Sequence, residues 1–259
     1  MAIWVAIVLG LIQGLTEFLP ISSSGHLTFF ELAFGFSSGS VLYNILLHFS
    51  TLLALVIVMR KQIWQIISHP LDKYMRMLLL SSIITSVIGL AIDHFVGAEG
   101  NLIIIAVGFI ITAIMLFALN MFIKSKKYNP LTPISYKQSI AVGIMQGIAV
   151  LPGLSRSGST LCVGVFAGSG QKQSAEFSFL LSIPIIIFGT VYEIYKGAKY
   201  GFEFSSADIL PMIIGCIVAF VSALLTLKLM LKLVSKNKWL WFAAYLLIAA
   251  IIILIFAIK

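Results

Sequence analysis

Three ionisable side chains stand out in this chain because the residues around them are almost entirely apolar: Glu17, His26 and Arg156. Each lies in or beside a run of hydroxyls and glycines. The first is Pro20-Ile21-Ser22-Ser23-Ser24-Gly25-His26, and the second is Pro152-Gly153-Leu154-Ser155-Arg156-Ser157-Gly158-Ser159-Thr160. Such runs suit the start of a helix, where free backbone N–H groups and a partial positive charge remain. Glycine and serine there let an anion approach the backbone, and two converging helix starts make a phosphate site. Ser22, Ser24, Gly25, Ser155, Ser157, Gly158 and Thr160 are therefore candidate phosphate-binding residues. Arg156 adds a planar fork that suits phosphate, and at membrane depth it needs an anion or Glu17 as partner. Ser23 is the first candidate nucleophile, with His26 as base and then acid; direct attack by His26 is the alternative. The plain structural reading is that the serines only cap helices and that Arg156 only pairs with Glu17. Gln13 and Glu17, four residues apart on one helix face, form an oxygen-rich pair that suits Mg²⁺ or Ca²⁺. His48 is the weaker histidine, and His69 and His94 carry no special signal.

These residues sit in a chain of 259 residues that is 60% apolar, 10% charged and has a mean hydropathy of +1.10. Soluble domains carry roughly 25% charged residues, so most of this surface must face lipid. The net charge of +8 falls in loops and reads as membrane topology rather than nucleic-acid binding. A helix needs roughly 20 apolar residues to cross the hydrocarbon core. Six segments qualify: 41–59, 77–96, 102–123, 177–195, 209–233 and 239–258. The runs from Ile3 to Phe36 and from Ser139 to Gly168 are broken by the two serine-rich turns, and each reads as a re-entrant pair of half-helices. The fold class expected is all-α: a polytopic membrane protein with about six transmembrane helices and two re-entrant helix pairs, in one domain.

Basic residues flank alternate loops: Arg60, Lys61, Lys73 and Arg76; Lys124, Lys126, Lys127 and Lys137; Lys228, Lys232, Lys236 and Lys238. The other loops hold Asp93 and Glu99, then Glu193, Lys196, Lys199, Glu203 and Asp208. The positive-inside rule places the lysine-rich loops in the cytoplasm and both termini outside. Trp4, Trp64, Trp239 and Trp241 fall near segment ends and read as an interfacial belt. Cys162 and Cys216 lack metal-ligand spacing and read as small core residues.

The two breaks resemble each other. Gln13-Gly14 precedes Gly25 by the spacing at which Gln146-Gly147 precedes Gly158, 12 positions from Gln to Gly in both. Three crossings separate them, and an odd number makes the second copy enter from the opposite side. This predicts an inverted-topology repeat, approximately residues 1–125 and 134–259.

The stretch Gln13-Gly14-Leu15-Thr16-Glu17-Phe18-Leu19-Pro20-Ile21-Ser22-Ser23-Ser24-Gly25-His26 resembles the first signature of the undecaprenyl-diphosphate phosphatase, or bacitracin-resistance, family. The stretch 151–160 resembles its second signature, and 177–184 the segment that follows. The likeness covers essentially the whole chain. It implies an enzyme that removes the terminal phosphate of undecaprenyl diphosphate, recycling a lipid carrier for peptidoglycan synthesis. It also implies a bacterial inner membrane, a site open to the periplasmic or extracellular side, a divalent cation, a polyprenyl diphosphate lipid among membrane lipids, and a homodimer. By position it assigns Glu17 to the acidic motif, Ser22 and Ser23 to the serine pair, His26 to the histidine and Arg156 to the phosphate-binding arginine. Two residues depart from the family pattern. Gln13 stands where Glu is usual, and Asn44 where Asp is frequent. The rival expectation from another class is a transporter or flippase for an anionic polyprenyl lipid, since inverted repeats are common in transporters. A degenerate relative with a structural role only is a third.

Overall fold

The computed structural model describes residues 1–35, 41–96, 101–125, 128–201 and 205–258. Phe36, Glu99, Lys126, Lys127 and Glu203 of the sequence reading lie outside them. Among the described residues, secondary structure is helical: α1 (Ile3–Thr16), α2 (Ser23–Ala33), α3 (Val41–Val58), α4 (Arg60–Ser68), α5 (Lys73–Val96), α6 (Leu102–Phe122), α7 (Tyr136–Ile148), α8 (Arg156–Phe166), α9 (Gln171–Tyr200), α10 (Ile209–Val234) and α11 (Trp239–Ile258). Five of these are long and apolar enough to cross a membrane, and α3 with α4 makes a sixth span bent by 77°. Their outer faces carry exposed Ile83, Val87, Ile114, Phe117, Leu225 and Ile248, the surface expected of a protein whose solvent is lipid. The chain is thus a multi-pass membrane protein.

The two broken regions fold as expected. Helices α1 and α2 have 14 and 11 residues, and α7 and α8 have 13 and 11. At 1.5 Å per residue, none spans a core of about 30 Å. Within each pair the two helices pack on each other, so each pair folds back as a hairpin. The short helix α4 was not expected. It is amphipathic, with Trp64 and Ile67 exposed, and it lies across the end of α3 where the sequence shows only a basic loop.

Helix contacts pair off in an exchanged pattern: α1 lies on α10 and α7 on α5, while α6 meets α11 and α3 meets α9. Small residues make the first two contacts close. Gly10 and Gly14 of α1 face Gly215, Ala219 and Ser222 of α10. Gly143 and Gly147 of α7 face Ser81, Thr85 and Ile88 of α5. A Cβ at any of the four would meet atoms of the partner helix, the small-xxx-small logic of packing in lipid. Ser81 and Thr85 also donate to the carbonyls of Ser139 and Gly143, at 2.8 and 2.9 Å.

The basic loops meet at one end of the molecule. Lys73 stands over the Tyr136 ring at 5.7 Å. Gln171 gathers the rest: its backbone N–H donates to the Tyr128 hydroxyl at 3.0 Å, its amide to Asn237 at 2.8 Å, and it accepts from Trp239 Nε1 at 2.6 Å. Trp239 is fully buried by this latch, which corrects its reading as a lipid-belt residue; Trp4, Trp64 and Trp241 are exposed. At the other end the N-terminal ammonium pairs with Asp208, and Lys196 bridges Asp93 and Glu193 at 3.5 and 3.2 Å.

Candidate active site

Both serine-rich turns start a helix in the way their sequences predict. Ser22 caps α2 and Ser155 caps α8, and each hydroxyl accepts the backbone N–H of the glycine three residues on, at 3.4 Å from Gly25 and 3.1 Å from Gly158. Each capping hydroxyl also meets the next serine but one, Ser24 or Ser157, at 3.4 Å. The glycine is needed at both places. A side chain at Gly25 would strike Phe109, and one at Gly158 would crowd Pro20, Ser155 and Thr112.

The two helix starts come together. Arg156, the first residue of α8, forms an ion pair with Glu17, at the end of α1. Ser157 donates to the carbonyl of Leu19 at 2.8 Å. Glu17 is buried while the Arg156 side chain is 23% exposed, so the pair is reached from the arginine side. The other carboxylate oxygen of Glu17 accepts from Ser23 Oγ at 2.6 Å and from Gln13 Nε2 at 3.1 Å. Gln13 Nε2 also donates to His48 Nδ1 at 3.0 Å, and that ring nitrogen lies 3.5 Å from Glu17. His48, the weaker candidate from sequence, therefore joins the same cluster. A buried carboxylate is tolerated when its oxygens are paired like this; removing one partner leaves an uncompensated charge.

His26 is placed differently from the sequence reading, which paired it with Ser23. The hydroxyl of Ser23 goes to Glu17. The His26 ring bonds through Nδ1 to the Ser22 carbonyl and through Nε2 to the Tyr245 hydroxyl, both at 2.7 Å. It also stacks on Phe109, with centroids 4.9 Å apart. Ser22 holds its carbonyl there with φ +67°, in the left-handed region that a non-glycine residue enters at a cost of about 1–3 kcal/mol and that clusters at functional sites. Of the other candidates, Ser24 is exposed beside this turn. Thr160 is buried and paired with Ser178 at 2.6 Å and with the Arg156 carbonyl, so it supports α8 from behind.

Sequence reasoning missed Tyr245, whose partner lies 219 positions away. It also missed Glu31 on α2, a third ionisable residue in the first broken region. The Glu31 carboxylate meets Asn44, and one buried oxygen of each is unpartnered among the described residues. Among the described residues no group of three His, Cys, Asp or Glu side chains has metal-holding geometry. Gln13 does keep a buried, unpartnered carbonyl oxygen next to Glu17.

These features define an α-helical integral membrane protein in which two broken helices meet at a buried carboxylate paired with an arginine and a serine. Residues 6–252 match the family described as bacitracin resistance protein BacA. The chain belongs to that family. It is 36% identical over 253 residues to an undecaprenyl-diphosphatase of Carboxydothermus hydrogenoformans, covering 96% of this chain and 95% of that one. A protein of the same name from Christiangramia forsetii is 34% identical over 269 residues, with 99% of both chains covered. One from Treponema denticola is 36% identical over 260 residues, covering 95% and 94%.

Proposed function

We propose that this protein hydrolyses undecaprenyl diphosphate to undecaprenyl phosphate and inorganic phosphate, returning the lipid carrier to cell-wall synthesis. The observation that carries this reading is the meeting of the two helix starts on one carboxylate: Glu17 holds both Arg156 and the Ser23 hydroxyl. A binding protein for an anionic lipid needs the arginine and the helix starts. It does not need a serine hydroxyl pinned to a buried base.

In this reading the diphosphate draws Arg156 away from Glu17, because phosphate oxygens offer the same fork geometry with more charge. That exchange frees the carboxylate to take the Ser23 proton. Ser23 Oγ then attacks the terminal phosphorus, the bridging P–O bond breaks, and undecaprenyl phosphate leaves with that electron pair. Water attacks the phosphorus of the phosphoserine and gives a proton to His26, the P–Oγ bond breaks, Ser23 Oγ takes its proton back from Glu17, and phosphate departs as His26 releases its proton to solvent. Arg156 and the free N–H groups at the starts of α2 and α8 stabilise the equatorial oxygens, the main requirement of phosphoryl transfer. Glu17 and the free Gln13 oxygen fit a hard cation such as Mg²⁺ or Ca²⁺ shared with the substrate. When bound, that ion would neutralise diphosphate charge.

The exchanged helix contacts and the matching caps support reading 1–125 and 134–259 as inverted repeats. The gathering of basic loops at one end supports a cytoplasmic location for that end, with the site opening on the opposite, periplasmic side. A homodimer in the bacterial inner membrane completes the proposal.

The test is phosphate release from undecaprenyl diphosphate by purified protein in detergent, with and without Mg²⁺ or Ca²⁺, beside His26→Ala. Release that depends on His26 supports the reading, and none from well-folded protein under any cation overturns it. Trapping the phosphoenzyme separates the steps: a label on Ser23 is expected, whereas a label on His26 or on neither overturns serine attack.

A further inference from the structure

Between Trp241 and Ile258, α11 is an unbroken apolar run except for one residue, Tyr245. The helix packs on α6, meets α2 through Phe256 and Phe29, and leaves much of its remaining surface exposed. A hydroxyl there is costly without a partner, and Tyr245 directs its own to His26 Nε2, 2.7 Å away. The two rings are nearly parallel, at 7° with centroids 5.6 Å apart.

The other side of the imidazole fixes the protons. The Ser22 carbonyl can only accept, so His26 Nδ1 must carry the hydrogen of the 2.7 Å bond between them. In the neutral ring Nε2 is then the acceptor, and the Tyr245 hydroxyl is the donor. If Nε2 gains a proton, the same phenol turns and accepts it, because a hydroxyl serves in both directions. Its own hydrogen then turns away from the ring. Tyr245 can therefore partner His26 in both protonation states without movement of either ring, which a carbonyl or an ammonium could not do.

We propose that Tyr245 is a positioning residue for phosphoryl transfer: with the Ser22 carbonyl holding Nδ1–H, its hydroxyl donates to Nε2 and fixes where the His26 lone pair points. This rests on the phosphatase reading. It adds a residue from the last helix, outside both signature stretches, to the residues that control the reaction.

The test uses full-length protein in detergent with ¹⁵N-labelled histidine, of which the chain has only four. Wild type and Tyr245→Phe are compared in phosphate release and in the ¹⁵N shifts of His26, assigned with His26→Ala, at a pH where the ring is neutral. The phenylalanine keeps the ring and its packing, so a role in packing alone leaves both readouts unchanged. Expected is the Nδ1–H tautomer in both proteins, with the Nε2 resonance moved downfield in the variant as its hydrogen bond is lost, kcat reduced about tenfold to a hundredfold and KM within about twofold. An unchanged Nε2 shift or an unchanged kcat in Tyr245→Phe overturns the proposal. Absence of phosphate release from wild type is a different failure: it removes the phosphatase reading, while an Nε2 shift that persists in the variant still overturns the hold on His26.

Discussion

At the first break, Ser22 caps its helix with φ +67°, Glu17 holds the Ser23 hydroxyl, and His26 bonds the Ser22 carbonyl. At the second, 133 positions on, Ser155 caps its helix with φ −71°, and the matching positions hold Val150, Arg156 and Ser159. The glutamines match as well. Gln13 reaches His48, and Gln146 reaches the Leu181 carbonyl, again 133 positions on, at 3.5 Å. The capping frame recurs at both breaks, while the proposed proton-handling groups lie at the first and the arginine at the second. In the proposed reaction this division brings Arg156 and the bases to the anion from two helix starts, which a single one could not do.

The largest effect expected from breaking this arrangement is at its one electrostatic link. Arg156→Ala should abolish phosphate release, by roughly a thousandfold or more, since charge neutralisation carries much of phosphoryl transfer. It should also leave Glu17 buried and unpaired, destabilising the fold by about 3–5 kcal/mol. The variant Glu17→Gln with Arg156→Ala should recover part of that stability and none of the activity. Thermal unfolding and turnover of the two variants separate these effects, and near-normal turnover in Arg156→Ala would sink the role.

Next come the matched positions His26 and Ser159. His26→Ala should lower kcat by about a hundredfold to ten-thousandfold, the usual contribution of a positioned acid–base group. Ser159→Ala removes a hydroxyl that, among the described residues, bonds to the carbonyls of Ser155 and Arg156, and kcat should stay within about threefold. Comparable losses at both positions would mean that the copies share the chemistry.

Gln13 and Gln146 give a smaller contrast. Gln13→Glu sets a second carboxylate beside Glu17, and the cation concentration for half-maximal activity should fall about tenfold. Gln146→Glu buries a carboxylate with no cation to meet, and should lower the unfolding temperature without changing cation dependence. An unchanged cation response in Gln13→Glu would place any metal elsewhere.

Much of this was legible in the sequence, for reasons that differ by element. The six spans follow from apolar runs of sufficient length, because lipid demands them. Both breaks follow from Pro, Gly and Ser at places where a helix cannot continue unaided. The Arg156–Glu17 pair followed from cost, since neither charge could stay alone in lipid. Contacts set by distant geometry were not legible. Trp239 looked like a belt residue until Gln171, 68 positions away, gave its indole N–H a buried partner. Ser23 and His26 sit three apart on one helix and look like a serine–base pair, yet the local turn aims Nδ1 back at the Ser22 carbonyl and leaves Ser23 to Glu17. Helix α4 left no trace because nine residues hold too few turns to reveal a period beside a basic loop.

The smallest effect concerns the backbone of the two caps, and it has opposite signs at the two breaks. Ser155→Gly removes a capping hydroxyl and loosens the unfolded chain, with no strain to relieve; a loss of about 0.5–1 kcal/mol is expected. Ser22→Gly makes the same two losses and also removes a side chain from a left-handed backbone, a relief of about 1–2 kcal/mol. The net change should be a gain of up to about 1 kcal/mol, read as a higher unfolding temperature in the same detergent. The carbonyl that holds His26 Nδ1 remains in the variant, so the ring keeps that anchor. A fall at both positions by the same amount would mean that Ser22 is unstrained. The difference between the breaks would then lie in their side chains alone. A rise at Ser22 beside a fall at Ser155 would show that the first break stores backbone energy to aim a carbonyl at His26, at a place where the second break has no such ring to hold.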